Sequence, residues 1–217
     1  MNSHTESKQI EGIIKFEQLK KLKFSFEQIY VRISYGDKPG FFFENCPEDM
    51  FEHKFENEKW IIYQKYTLNF QPEKGTSLPN AIIVLPKGLA LIETELSLVH
   101  GSLYLEKLQS ENLCIRLQTA SLIAGTLSTK LSSISCYAGS ITINEALMGK
   151  VKIDCILGNV LIKNSGSIPY GYKVNVWMGS VHTPDGKNYF RNEATSKLEI
   201  ENFYQVTCKL GNVSIKP

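Results

Sequence analysis

No run of eighteen apolar residues occurs in the 217-residue chain, so a membrane-spanning helix is excluded. The opening MNSHTESKQIEG is polar and lacks the apolar centre of a secretory signal, so the chain as given is expected in the cytoplasm. Net charge is only +2 and no block of like charge stands out. Neither a nucleic acid nor a membrane surface is therefore an expected partner. The stretch from Lys15 to Lys23, with Phe16, Leu19 and Leu22 between its lysines, reads as an edge strand with solvated lysines rather than a membrane-seeking helix. Five cysteines, an odd number without paired spacing, argue against a disulfide scaffold. There is no His/Ser/Asp constellation, no phosphate-binding loop and no metal-ligand spacing. The chain is accordingly read as not an enzyme, with no catalytic residue, cofactor or metal assigned.

Amphipathic helical periods are missing as well; what is present is a repeat. Gly101, Gly139 and Gly158 lie 38 and 19 residues apart, and Ala120 fills the vacant slot between the first two. Further copies follow at Gly179, a step of 21, and Gly211, a step of 32. The copies are LSLVHGSLYL (96–105), IRLQTASLIA (115–124), ISCYAGSITI (134–143), IDCILGNVLI (153–162), VNVWMGSVHT (174–183) and VTCKLGNVSI (206–215). Positions five and three before the glycine slot, and two and four after it, give four columns. Of these 24 positions 23 are apolar, where a composition of 42% would give about ten by chance. The repeat is real.

Period-two alternation with many β-branched residues suits strands, and a glycine where two strands meet suits a turn at positive φ. A repeat of this length defines a solenoid. Stacked coils rise by about 4.8 Å, so like residues should lie over like residues. The expected fold is all-β: a single-domain parallel β-helix with coils of about 19 residues. Cys136, Cys155 and Cys208 fall in one inward column and act there as small hydrophobes. Ser102, Ser121, Ser140, Asn159, Ser180 and Asn212 follow the glycine slots and should satisfy turn backbone.

Residues 1–19 read as an N-terminal extension or first strand region. Residues 20–95 read as strands without the glycine register that begin or cap the helix: LKFSF (22–26), IYVRISY (29–35), WIIYQKY (60–66) and AIIVLP (81–86). Gly36–Gly40, Glu56–Lys59 and Pro72–Gly75 mark turns. The coils then fill 96–217, with an insertion at about 184–203 that is expected to fold across the open end or, failing that, to form a binding loop.

KLKFSFEQIYVRISYG, LPKGLALIETELSLVHG and the repeated Gly-Ser/Asn coils resemble the putative-adhesin β-helix family, domains of unknown function called adhesin-like by analogy. The likeness covers about residues 20–217. It implies a right-handed parallel β-helix and transfers no catalytic residue.

Chemistry is sparse on the outward columns. Asp154 and Arg116 stand singly among small polar residues, and His4, His53, His100 and His182 have no partner suggested by spacing. One feature departs from a polar solvent face. Val99, Tyr137, Ile156 and Trp177, two before the slot, and Tyr104, Ile123 and Leu161, three after it, are large and apolar or aromatic in outward columns. The simpler expectation is that the N-terminal strands or a loop cover them. The sharper one is a face for an unknown protein partner or for self-association, anchored by Trp177 and Tyr137. The leading functional reading is a non-enzymatic scaffold or interaction module. A carbohydrate-binding or carbohydrate-active β-helix enzyme, recognisable by a cleft with paired carboxylates, is one alternative; an end-to-end cytoskeletal polymer is the other.

Overall fold

Alternating apolar and polar residues make strands wherever the copies occur, and the strands join. The computed structural model describes residues 8–9, 16–66, 79–147, 149–164, 169–188 and 193–217. The fold is all-β, and apart from two short 3-10 turns no helix occurs among the described residues. Six strands precede the repeats: β1 (Lys8–Gln9), β2 (Lys21–Gly36), β3 (Gly40–Glu44), β4 (Phe51–Glu56), β5 (Lys59–Gln64) and β6 (Asn80–Pro86). The first four copies lie in β7 (Leu91–Ala138), β8 (Ile141–Leu147), β9 (Lys150–Leu157) and β10 (Val160–Lys163). The fifth occupies β11 (Gly171–Met178) and β12 (Val181–Thr183). The insertion supplies β13 (Gly186–Asn188) and β14 (Glu193–Ser196), and the last copy forms β15 (Phe203–Leu210) and β16 (Val213–Lys216). All sixteen belong to one sheet.

Parallel pairing holds the copies in register through two ladders, one on each side of the glycine slot. Before the slot, Ile134 pairs with Ile153, Ile153 with Val206, and Val206 with Val174. After it, Leu122 pairs with Ile141, Ile141 with Val160, Val160 with Val213, and Val213 with Val181. Of the 24 column positions the 23 apolar ones are buried, and Thr183 is half-buried. One core takes both ladders, which is what turns short marginal strands into a stable unit.

Several expectations need correction. The copies do not stack in chain order: the last copy, 206–215, inserts between 153–162 and 174–183. Val174 therefore packs over Val206 and not over Ile153. The physical reason is that the insertion carries the chain back, so its final strands can pair on both edges instead of one. Residues 20–36 are also not outside the register. LKFSF and IYVRISY are one strand, β2, with Phe24 opposite Leu96, Phe26 opposite Leu98, Ile29 opposite Gly101, Val31 opposite Leu103 and Ile33 opposite Leu105. FSFEQIYVRI is thus a copy with isoleucine in the glycine slot. Nor is β2 an edge strand, since β5 and β6 pair with its other side. Its Lys21 and Lys23 are not merely solvated; they pair with Glu93 at 3.2 Å and Glu95 at 2.8 Å.

At the glycine corners adjacent rungs approach too closely for a side chain. A Cβ on Gly158 (φ +140) would stand 1.6 Å from the Gly139 carbonyl oxygen, and one on Gly211 (φ +147) 1.7 Å from that of Gly158. Where Ala120 occupies the slot, β7 runs through without a break. β3 and β4 pair antiparallel with β6 and β5, and β14 and β13 pair antiparallel with β11 and β12. The insertion therefore lies along the edge of the outermost copy. Its Tyr189 and Phe190, like the Pro72–Gly75 turn and His4, fall outside the described residues.

Candidate functional site

The corner ladder is structural, as the residue types after each slot suggest. The Asn159 side-chain oxygen accepts the Asn212 backbone N–H at 3.0 Å, and the Asn212 oxygen accepts the Ser180 backbone N–H at 3.0 Å and its hydroxyl at 2.7 Å. The Ser121 hydroxyl accepts the Ser140 N–H at 3.2 Å. In these three pairs one turn satisfies the backbone of its neighbour, which fixes the corner and leaves these polar groups committed to the fold.

The stacked thiols are equally inert. Cys136 pairs in register with Cys155, and Cys155 with Cys208; all three are buried. The hydrogen bond with Cys136 pushes the Cys155 thiol up to about 11, and contact with Cys155 pushes Cys208 upward too. The same contact lowers Cys136, but its sulfur donates to the Ala120 carbonyl and is sealed from solvent, so burial decides its reactivity. No disulfide forms among the five cysteines. Among the described residues no three His, Cys, Asp or Glu side chains converge as metal ligands.

Of the histidines, His53 gains a partner invisible in the sequence, accepting the Trp60 indole N–H at 3.2 Å. His182 is half-buried rather than on the open surface, whereas His100 is exposed. Asp154 is not solitary; Lys152 lies 3.1 Å from it. Arg116 is exposed and has no ion pair among the described residues. It separates two shallow concavities. One, of about 380 Å³, is bounded by Glu93, Glu95 and Ser133, and the other, of about 320 Å³, by Gln118 and Tyr137.

Seven residues were expected to form an apolar outward face, and the structure divides them. Val99, Tyr137, Ile156 and Trp177 stand on the ladder before the corner, and Tyr104, Ile123 and Leu161 on the ladder after it. Exposure separates them further. Trp177 is 71% and Tyr137 55% exposed, so the expectation that strands or a loop cover them does not hold at these two. Tyr104 and Ile123 are exposed, though Arg32 lies over the Tyr104 ring at 5.6 Å. Val99, Ile156 and Leu161 are half-buried. Sequence reasoning passed over the column immediately before the glycine. There Leu157 pairs with Leu210 and Leu210 with Met178, all three exposed. The signal is readable in the sequence, since these residues adjoin Ile156, Lys209 and Trp177 in the copies.

On the N-terminal part of the same face the chemistry is ionic. Lys59 lies 3.1 Å from Glu95 and 3.6 Å from Glu93, beside the pairs made by Lys21 and Lys23. The hydrogen bond from Lys23 chiefly holds the Glu95 carboxyl down to about 2. Glu95 is therefore ionised near neutrality, and Glu93 and Glu95 are both engaged by lysines.

No protein-family model matches the chain, and no curated protein matches it. Among solved structures it is similar to a protein from Clostridium sporogenes described as a "putative cell adhesion protein". That likeness has a TM-score of 0.50 at 15% identity and covers 97% of each chain. A "putative adhesin" from Bacteroides fragilis is matched over 97% of this chain and 95% of its own, at 8% identity and a TM-score of 0.31. The second likeness is too remote to use, and the first is a likeness of fold alone.

Proposed function

We propose that the chain is a non-enzymatic interaction module of the adhesin-like kind, wound as a right-handed parallel β-helix of about 19-residue coils. The winding is supported by the parallel registers on both sides of each corner and by the strong right-handed preference of parallel crossovers. The observation that carries the function is the exposure of Trp177 at 71% beside Met178 at 60%, in one outward column with Tyr137. Large aromatic side chains held on a rigid sheet and left in water anchor a partner. Glu95, held at about 2, cannot serve as a general acid near neutrality, which disfavours the enzymatic alternative. Antiparallel strands along both outermost rungs favour a discrete particle over an end-to-end polymer.

The test compares the wild-type chain with Trp177→Ser, each checked by its thermal unfolding. At equal melting temperature the variant should lose a partner retained from cell extract, or a self-associated species seen by light scattering. A variant that unfolds makes Trp177 part of the core, and an unchanged partner set and mass would remove the face from consideration.

A further inference from the structure

The outer side of the ladder before the corner changes character along its length. Towards β5, lysines and glutamates neutralise one another. Beyond β7's first rung cations prevail: Arg116, Lys150, Lys152, Lys173 and Lys209 are exposed, against Asp154, Glu193 and Glu201, the last beside Lys150. Lys152 and Asp154 cancel as an ion pair, which leaves four cations against Glu193 and Glu201. Into this basic field project two aromatic rings. In rung order the outward column reads Gln118, Tyr137, Ile156, Lys209, Trp177, which places Tyr137 and Trp177 three rungs, about 14 Å, apart. The adjoining outward column supplies Ser135, Thr207 and Asn175, small hydrogen-bonding groups on the same side of the sheet.

From this arrangement we infer that the face binds an extended anionic polysaccharide, one carrying carboxylates on its sugars, laid along the stacking direction. The inference rests on the reading above that this side is the interaction surface, and names its partner. Charge complementarity requires an acidic partner. The rungs repeat at about 4.8 Å, of the order of one sugar along an extended chain, so successive rungs meet successive residues. Tyrosine and tryptophan rings pack against the apolar C–H face of a pyranose and keep a polar edge for its hydroxyls. The concavity of about 320 Å³ beside Arg116 has room for one sugar, whose carboxylate the guanidinium fork can hold in bidentate fashion. A duplex nucleic acid demands a denser array of cations than a chain of net charge +2 presents. An acidic peptide offers no repeated ring face to two aromatics at that spacing.

The experiment is calorimetric titration of the full chain with oligogalacturonate at low and at physiological salt, beside a neutral glucan oligomer, polyglutamate and duplex DNA. Variants are Arg116→Gln with Lys209→Gln, and separately Trp177→Ser, all exposed positions whose folding is verified by melting. Binding of oligogalacturonate that weakens with salt, falls at least tenfold in either variant, and exceeds that of polyglutamate and DNA tenfold is the expected result. Comparable binding of every polyanion, indifference to Trp177→Ser, or no binding of oligogalacturonate overturns the inference. In that last case the extract comparison of Trp177→Ser separates the two readings. A partner still lost there keeps the interaction face and discards only the glycan.

Discussion

At each end of the stack the chain performs the same manoeuvre in opposite order. Near the N-terminus it lays down β2, continues through β3 and β4, forms the outer rung with β5 and β6, and then returns past them so that β7 pairs with β2. Near the C-terminus it first makes the outer rung with β11 and β12, then β13 and β14, and comes back to lay β15 and β16 inside. β2 at one end and β15 with β16 at the other are therefore second in the stack, with both edges hydrogen-bonded. A bare edge invites pairing with other chains, and these inner strands present none.

The two ends solve the covering differently. At the N-terminal end the extra strands enter the core. Phe41, Phe43 and Phe51 are buried and meet one another, and Phe41 and Phe51 meet Phe26, with ring centroids 5.1–6.2 Å apart; Phe24 stacks on Phe26 at 4.8 Å. At the C-terminal end β14 has no fully buried residue, though its Ala194 packs partly against the core, and Tyr172 in the rung beneath donates to Asp185. One cover is part of the hydrophobic core; the other is a strand hydrogen-bonded to its edge. The comparison teaches that the edge of a rung already filled by Val174, Val176 and Val181 is covered by strand pairing with little further apolar burial among the described residues.

The sharpest way to break this comparison is Phe26→Ala. It removes the ring that Phe24, Phe41 and Phe51 share and should cost about 3–5 kcal/mol in denaturant unfolding. A loss under about 1 kcal/mol, the level of an ordinary surface change, would place the aromatic cluster outside the cooperative core. Next comes the inner rung of the other end. Gly211→Ala sets a Cβ 1.7 Å from the Gly158 oxygen at φ +147, and strain of about 1–3 kcal/mol should follow. Gly88→Ala, also at positive φ but with open space around it, is the control and should cost less. Equal losses would mean that the rungs are not tightly stacked at the corner. The smallest effect concerns pH. Glu95 has a folded value of about 2 against an ordinary 4.5, so its contribution is complete above about 4.5 and is lost as pH falls towards 2. Glu95→Gln should flatten that acid limb of a melting-temperature profile. Parallel profiles would show the ion ladder to be uncoupled from folding.

Much of the rung was readable in the chain, and its order was not. The inward columns could be found because burial on one side of a strand imposes period two, and every copy repeats it. β2 was missed because the search keyed on glycine, while Ile29 holds the slot in a strand that passes the corner unbroken. The rung order had a clue: IDCILGNVLI and VTCKLGNVSI share Cys and Gly-Asn-Val, and they are the copies that touch. VNVWMGSVHT, with valine in the thiol column, stands outermost. Of the candidate face, composition identified Tyr137 and Trp177. Exposure of Leu157, Leu210 and Met178 depended on how three copies meet at a corner, which no single copy reveals.

The sequence by itself determined the cross-section: which side chains point inward, where the chain turns, and which small residues tie one turn to the next. These are local matters, dictated by alternation and by the space a Cβ requires. Only the tertiary structure decided which rung lies on which, because every apolar column is compatible with its neighbours in any order. The choice falls to the connections, whose return paths set β2 at one end and β15 with β16 at the other inside the stack and leave Trp177 on its outermost rung.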